Sequence, residues 1–464
     1  MSYRIREIEA ESQFCEQVKV DVITEIVSEE VMRACIEACG VQEKRKRQLP
    51  ARLTLLVCIG MNLFSEVSLR FVLLRLVKGI RLLADVGVDE LPNKSAISQA
   101  RYRLGVKPLE RLFKAVCRPI ATEETPGAFA FGLRLVAIDG MVEDVADTPA
   151  NEAFFGRHHA DRGAAAFPQA QGMYLCECGT HVIFDAGFWP VHTSEHVGAK
   201  RLLRSLEAGM LVMLDRGLYS YDMVKGIQQQ GAEVLCRLSS CLKPQLVQRL
   251  PDGSYLAYIT PSDGVRRRQG ERILVRIIEY TLNDPDRVGH YETHRLLTTL
   301  LDPHIYPALE LIVLYHERWE IELTIDEIDT HQRLLSRPFR SLKPAGVIQE
   351  WYGLLIAHFI VRFLMHQAAC AHQLDPDCLS FIDSVRLITD AISEFQLIHP
   401  DCHARLWQRL QHDLAACRLP ARDLRVNPRV VKRKMSKFKK KRPEHFHPPP
   451  LRPFRDVVVL LSPP

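Results

Sequence analysis

The stretch Leu314-Tyr315-His316-Glu317-Arg318-Trp319-Glu320-Ile321-Glu322-Leu323 decides how this chain is read. It lacks Gly and Pro, is rich in helix formers, and repeats apolar residues at three and four, so it predicts one continuous helix. At 100° per residue, Tyr315, Arg318 and Glu322 fall on one narrow stripe. A carboxylate, a guanidinium and a phenol on one face suit a hard cation beside a phosphate. The bland alternative is a solvated face with an i, i+4 ion pair between Arg318 and Glu322.

Two acids upstream shift the balance. Leu133-Arg134-Leu135-Val136-Ala137-Ile138-Asp139-Gly140 reads as a buried strand ending in an acid and a glycine. Met210-Leu211-Val212-Met213-Leu214-Asp215-Arg216-Gly217 repeats that pattern before a turn into a helix. Ligand sites of α/β sheets lie at the carboxyl ends of strands. Ionised carboxylates avoid burial unless they are paired or bound to metal. Three carboxylates, Asp139, Asp215 and Glu322, are oxygen donors for two Mg²⁺ held roughly 4 Å apart, the arrangement of metal-assisted phosphoryl transfer.

Around these residues the pattern changes by segment. Residues 1–128 read as helical, and a helical N-terminal domain is expected there. Within it Asn93-Lys94-Ser95-Ala96-Ile97-Ser98-Gln99-Ala100-Arg101-Tyr102-Arg103-Leu104-Gly105 is a short helix, capped by Asn93 or Ser95 and ended by Gly105. Its polar face, with Arg101 and Arg103, suits either a DNA groove or packing on neighbouring helices. Residues 129–232 alternate apolar strands with helices and resume as helix at 302–365, an α/β layer. Between them, 233–301 holds short β-rich runs separated by turn signals, read as an antiparallel β insertion. Helical spacing continues through a C-terminal region, 366–425, and 426–464 reads as a basic, Pro-rich tail.

The totals exclude several classes. Composition is that of a globular chain, 47% hydrophobic and 25% charged. No run of about 18 apolar residues reads as a membrane span, and no secretory signal is seen, so a cytoplasmic, nucleoid-associated protein is expected. The thirteen cysteines are scattered without C-x-x-C pairs, which points to reduced thiols. No phosphate-binding glycine pattern precedes a helix, so no nucleotide cofactor is expected. The net charge of +5 conceals an asymmetry: Lys432–Arg442 carries eight positive charges, and subtracting them leaves −3 for the remainder. That segment, which includes Lys437, is either a solvated tail or a phosphate contact with salt-dependent affinity.

Ala137-Ile138-Asp139-Gly140, Leu214-Asp215-Arg216-Gly217 and Tyr315-x-x-Arg318-x-x-x-Glu322 together resemble the three motifs of DDE transposases of the insertion sequence family four type. The Asn93–Arg101 stretch and Asn427-Pro428-Arg429-Val430-Val431-Lys432-Arg433-Lys434-Met435 are also similar to that family, so the resemblance spans roughly residues 45–440. It implies a ribonuclease-H-like core, a mixed sheet with flanking helices, interrupted by a β insertion between the second Asp and the Glu. Here 107 residues separate Asp215 from Glu322, enough for the segment read as β-rich.

By the same resemblance, Asp139, Asp215 and Glu322 would bind two Mg²⁺ or Mn²⁺ ions. Tyr315 and Arg318 would hold DNA phosphates, and Arg216, Arg333, Arg101, Arg103 and Lys437 are further candidates for DNA contact. The implied reaction is cleavage at element ends and strand transfer by a cut-and-paste route through a hairpin intermediate. The implied partners are double-stranded DNA and a second copy of the chain in a synaptic complex. The family pattern continues with a basic residue seven positions after the Glu, where this chain has Asp329. Two alternatives therefore stay open: an impaired or domesticated transposase that only binds DNA, and a metal-dependent nuclease on the same scaffold.

Overall fold

The computed structural model describes residues 3–7, 20–160, 163–285, 290–333, 337–419 and 452–461. Helices of eight residues or more are α1 (Glu29–Ala38), α2 (Ala51–Leu63), α3 (Leu69–Leu76), α4 (Lys94–Leu104), α5 (Lys107–Val116), α6 (Glu195–Leu202), α7 (Tyr221–Gln229), α8 (Ala308–His316), α9 (Trp319–Asp326), α10 (Pro344–His372), α11 (Phe381–Leu397) and α12 (His403–Ala416). The principal strands are β1 (Leu133–Asp144), β2 (Gln169–Glu177), β3 (Val182–Pro190), β4 (Met210–Leu214), β5 (Glu233–Arg237), β6 (Gln245–Arg249), β7 (Tyr255–Ile259), β8 (Ile273–Leu282), β9 (His294–Thr298) and β10 (Val458–Leu460). The chain divides into two compact units. Unit 1 comprises residues 1–128, 138–202 and 320–419; unit 2 comprises 129–137, 203–319 and 420–464.

Unit 1 is built on α10. Its residues are buried on nearly every side, including Trp351, Leu354, Leu355, Ile356 and Phe359. Each fully buried large apolar side chain contributes about 1.5–3 kcal/mol. By length and composition α10 could cross a membrane, but 78% of its most apolar window is covered by the protein itself. That is a core helix, and its polar residues are engaged. Glu350 accepts from the Arg340 and Ser341 amides, while Gln349 donates to the Arg101 and Gly105 carbonyls. α2, itself almost wholly buried, lies so close to α10 that a Cβ on Gly353 would stand 2.2 Å from the Cys58 carbonyl oxygen. Glycine is required there because the two backbones meet.

The β2–β3 hairpin is antiparallel, with Glu177 opposite Val182, and Trp351 stacks on Phe188 of β3 at 4.9 Å. The second half of β1 lies next to β2 in the order β3-β2-β1. Helix α4 begins as its sequence requires: Asn93 Oδ1 accepts from the Ala96 amide at 2.9 Å, and Gly105 ends it with φ of 73°.

Unit 2 holds the parallel pairs. The first half of β1 runs parallel to β4, with Leu135 opposite Leu211 and Ala137 opposite Met213. β4 runs parallel to β5, with Leu214 opposite Cys236, and α7 makes the crossover. At β5 the sheet turns antiparallel: β5 pairs β9, β9 pairs β8, β8 pairs β7 and β7 pairs β6. Of the segment read as an antiparallel insertion, 233–301, the strands from 245 to 298 pair antiparallel, but β5 at its start is parallel to β4 and belongs with the parallel pairs.

Two expectations fail in outline. β1 does not end at Gly140 but continues to Asp144, because Met141, Val142 and Glu143 keep extended backbone. The end of the chain is not a plain tail either. Val458–Leu460 pairs with β8, Thr281 opposite Val459, and Arg455 pairs with Glu310 at 2.9 Å. The sequence signal was the apolar, β-branched run Val457-Val458-Val459-Leu460-Leu461, obscured by the prolines around it.

Candidate active site

Asp139 is half-buried in β1, and its Oδ1 accepts from the Gly140 amide at 2.8 Å. A side chain on Gly140 would meet Met173 Sδ at 2.3 Å, so the glycine after the acid is set by packing on β2. Asp215 follows the wholly buried β4 directly. Its Oδ1 accepts from the Leu218 amide at 2.8 Å, which fixes the turn that carries Arg216 and Gly217. Asp139 stands two residues beyond Ala137 and Asp215 two beyond Met213, the residues that end the parallel β1–β4 register.

The helix predicted over residues 314–323 is not continuous. α8 ends at His316 and α9 begins at Trp319. The Glu317 amide bonds to the Leu314 carbonyl at 3.0 Å and the Arg318 amide to the Tyr315 carbonyl at 3.3 Å. These i→i−3 bonds tighten the chain and break the 100° progression on which the single stripe depended. Beyond α9 the chain widens into a π-helical turn, Glu327–Gln332, that carries Asp329.

In unit 2 the structure groups Tyr315, Arg318 and Asp215. The Tyr315 hydroxyl donates to the Leu214 carbonyl at 3.0 Å, the residue just before Asp215. Burial, with a smaller contribution from Asp215, raises the Tyr315 hydroxyl well above its ordinary range; Arg318 opposes the shift. The Arg318 guanidinium lies 5.9 Å from the Tyr315 ring centroid, within cation–π range. Two neighbours on β5 escaped sequence reasoning. Cys236 is buried and its thiol is pushed up by desolvation and by the Asp215 carboxylate. Arg237 is exposed and donates to His294 Nδ1 at 3.0 Å. Only the parallel register, which puts Leu214 beside Cys236, reveals them. In unit 1, Glu322 is half-buried on α9, whose Glu320, Ile321 and Thr324 are buried.

The predicted basic contacts divide. Arg216 is exposed beside Asp215, and Arg103 is exposed with Nη2 donating to the Leu49 carbonyl at 2.9 Å. Desolvation and the cations Arg47 and Arg45 lower the Arg103 pKa, opposed by Glu43. Arg101 does not fit the groove-contact reading: it is 6% exposed and its Nη2 donates to Ser341 Oγ and the Gly346 carbonyl. Arg333 is 7% exposed, lies 3.2 Å from Asp329 Oδ1, and is also bonded to Glu143. Both arginines are internal struts, because a buried carboxylate or carbonyl cluster requires a cation or donor. Lys437 lies outside the described residues.

Among the described residues, the group of three potential metal ligands whose atoms all lie within 4.8 Å of one another is His181, Glu320 and Asp377. It contains none of the three predicted acids. It lies in unit 1, with His181 and Glu320 buried and Asp377 partly exposed, and was not legible in the sequence, since its members are 139 and 57 residues apart.

Residues 17–114 match the family model for the insertion element 4 transposase N-terminal region, and residues 131–360 match the transposase DDE domain. The chain is 29% identical over 416 residues to the transposase InsG for insertion sequence element IS4 of Escherichia coli strain K12, covering 88% of this chain and 91% of that protein. It is 26% identical over 205 residues to the putative transposase InsZ of the same strain, covering 44% of this chain and 65% of that protein. Among solved structures, the piggyBac transposase synaptic complex with hairpin DNA aligns over 86% of this chain and 85% of that one, at 12% identity and a TM-score of 0.45. With both halves of the family pattern matched in order, and a relative matched across nearly its full length, the chain belongs to the insertion element 4 family of DDE transposases.

Proposed function

We propose that this transposase cuts DNA at the ends of its own element with Asp139, Asp215 and Glu322 as the catalytic acids, on a ribonuclease-H-like core in which the antiparallel strands after β5, within the segment 233–301, are the β insertion. As a DDE transposase it is a DNA-cleaving, divalent-metal-dependent enzyme. The observation that carries the residue assignment is the β1–β4 register. Asp139, within β1, and Asp215, in the turn just past β4, each stand two positions beyond the last paired residues of the parallel register, Ala137 and Met213. All three acids lie inside the matched DDE domain, and each is half-buried rather than sealed in the core.

Three carboxylates form an all-oxygen donor set that fits Mg²⁺ or Mn²⁺. Two such ions, when bound, lower the pKa of an attacking water or 3′-hydroxyl and neutralise the leaving oxygen. The chain's own residues supply the rest. Tyr315 orders the backbone at Leu214 and stays a neutral donor. Arg318, Arg216 and Arg237 are the cations near Asp215 suited to phosphate oxygens. Arg103, with Arg45 and Arg47, is proposed to contact the duplex through the N-terminal domain. The full route is cut-and-paste transfer through a hairpin, run by a homodimer that joins two element ends.

The test is cleavage of DNA carrying the element's terminal repeats. With Mg²⁺, wild-type protein cleaves at the repeat ends in preference to scrambled sequence, and Asp215→Asn binds the same DNA without cutting it. Cleavage without end preference would favour a general nuclease. Binding without cleavage by the wild type would favour a decayed transposase.

A further inference from the structure

The turn between β2 and β3 is buried although hairpin turns ordinarily face water. Cys178, Thr180 and His181 are 0%, 0% and 3% exposed. His181 sits in the left-handed region at φ of 58°, a conformation that costs a non-glycine residue energy and is held by its surroundings. It points toward two carboxylates. His181 Nε2 is 3.2 Å from Asp377 Oδ1 and 3.9 Å from Glu320 Oε2. Neither Nε2 nor Asp377 Oδ1 has a hydrogen-bond partner, although the two atoms approach to 3.2 Å as an ion-pair contact. On the ring's other side, Nδ1 is 3.2 Å from Glu327 Oε1, with Arg362 Nη2 also against it.

We propose that His181, Glu320 and Asp377 bind a zinc-class divalent cation, at a site separate from the acids assigned to catalysis. Ligand atoms around a tetrahedral ion with bonds of ~2.0–2.2 Å lie about 3.3–3.6 Å apart; the two distances from Nε2, 3.2 and 3.9 Å, bracket that range, and all three ligand atoms lie within 4.8 Å of one another. Nδ1 is taken up by Glu327 and Arg362, so Nε2 is the ring nitrogen that faces the two carboxylates. The second carboxylate is oriented as well, with Glu320 Oε2 accepting from the Gly179 amide at 2.5 Å. Arg362 pairs with Glu327 and lies 3.9 Å from Asp377, and His181 faces all three carboxylates, Glu320, Glu327 and Asp377. One nitrogen and two carboxylates suit Zn²⁺ better than Mg²⁺ or Ca²⁺. The Asp377 side chain is 27% exposed, which gives the ion a path in. Glu320 lies on α9 two residues before Glu322, so the ion pins that helix to the β2–β3 turn.

The experiment uses full-length protein carrying Asp139→Asn, Asp215→Asn and Glu322→Gln, stripped of metal with a chelator. Zn²⁺ is titrated against a chromophoric competitor, and Co²⁺ absorption reports the donors. The triple variant takes up one equivalent of Zn²⁺ and melts at higher temperature with it, and Co²⁺ shows a nitrogen–oxygen spectrum without a thiolate band. Adding His181→Gln or Asp377→Asn weakens binding by about 100-fold or more, beyond the usual loss from removing an outer-shell partner. If His181→Gln does not fold, Asp377→Asn decides alone. No uptake by the triple variant, or full uptake by both ligand variants, overturns the proposal. Loss of DNA cleavage does not enter the readout, so this result and the catalytic assignment stand or fall separately.

Discussion

Arg333 is held in an internal ion-pair network. It pairs with Glu143, which is 1% exposed and which also accepts from the Tyr174 hydroxyl at 2.9 Å; Tyr174 in turn receives the Trp351 indole N–H at 3.3 Å. Removing the guanidinium leaves a buried carboxylate uncompensated, so Arg333→Met is expected to cost about 3–5 kcal/mol by urea unfolding. Adding Glu143→Gln recovers part of the loss; no recovery would mean that Glu143 has another cation. Asp329 is the other acid beside Arg333, its Oδ1 accepting from Nη1 at 3.2 Å. At Tyr315 the expectation concerns pH. Its hydroxyl pKa is raised by burial, so the phenol keeps its proton throughout the neutral and mildly alkaline range. Tyr315→Phe loses the bond to Leu214, about 0.5–1.5 kcal/mol, and the stability deficit is the same at pH 7 and pH 9. A deficit that disappears by pH 9 would mean that the wild-type hydroxyl ionises there.

At the scale of elements, apolar periodicity carried much of the fold. The buried runs before Asp139 and Asp215 are strands, the Asn93 cap and Gly105 stop bracket α4, and the alternating runs at 245–298 pair antiparallel. What the pattern could not carry was geometry decided by individual hydrogen bonds. The decamer at 314–323 has helical composition throughout, yet two i→i−3 bonds divide it between α8 and α9. Nor does a charged residue on a helix announce its direction: Arg101 reads as polar surface but turns inward to Ser341 and Gly346, while Arg103 stays exposed. The α2–α10 packing is the clearest element-level test. Gly353→Ala places a methyl against the Cys58 carbonyl, where backbone must move, and is expected to cost about 1–3 kcal/mol or more. Gly264→Ala, whose added Cβ would meet Arg268 Nη1 at 3.6 Å, serves as the control and should be nearly neutral. Equal unfolding midpoints for the two variants would contradict the close approach.

Across the whole molecule, charge and chemistry are distributed differently along the chain. The eight cations of Lys432–Arg442 outweigh the net charge of everything else, so they should dominate nonspecific affinity for DNA. Deleting that segment is expected to flatten the plot of log affinity against log salt, by about 0.9 for each DNA phosphate the protein no longer neutralises. An unchanged slope would assign the electrostatics to the N-terminal cations Arg45, Arg47 and Arg103 instead. Catalysis is assigned to three acids separated by 76 and 107 residues, which sequence motifs could name but only folding can assemble. If they act as one metal-holding unit, their removal cannot be additive. The decisive measurement is therefore Mg²⁺-dependent cleavage of element-end DNA by Asp139→Asn, Asp215→Asn, Glu322→Gln and the triple variant, with binding of the same DNA measured in parallel. Each single variant should fall to the background of the triple variant while binding is kept. A single variant that cuts within tenfold of wild type would contradict the assignment.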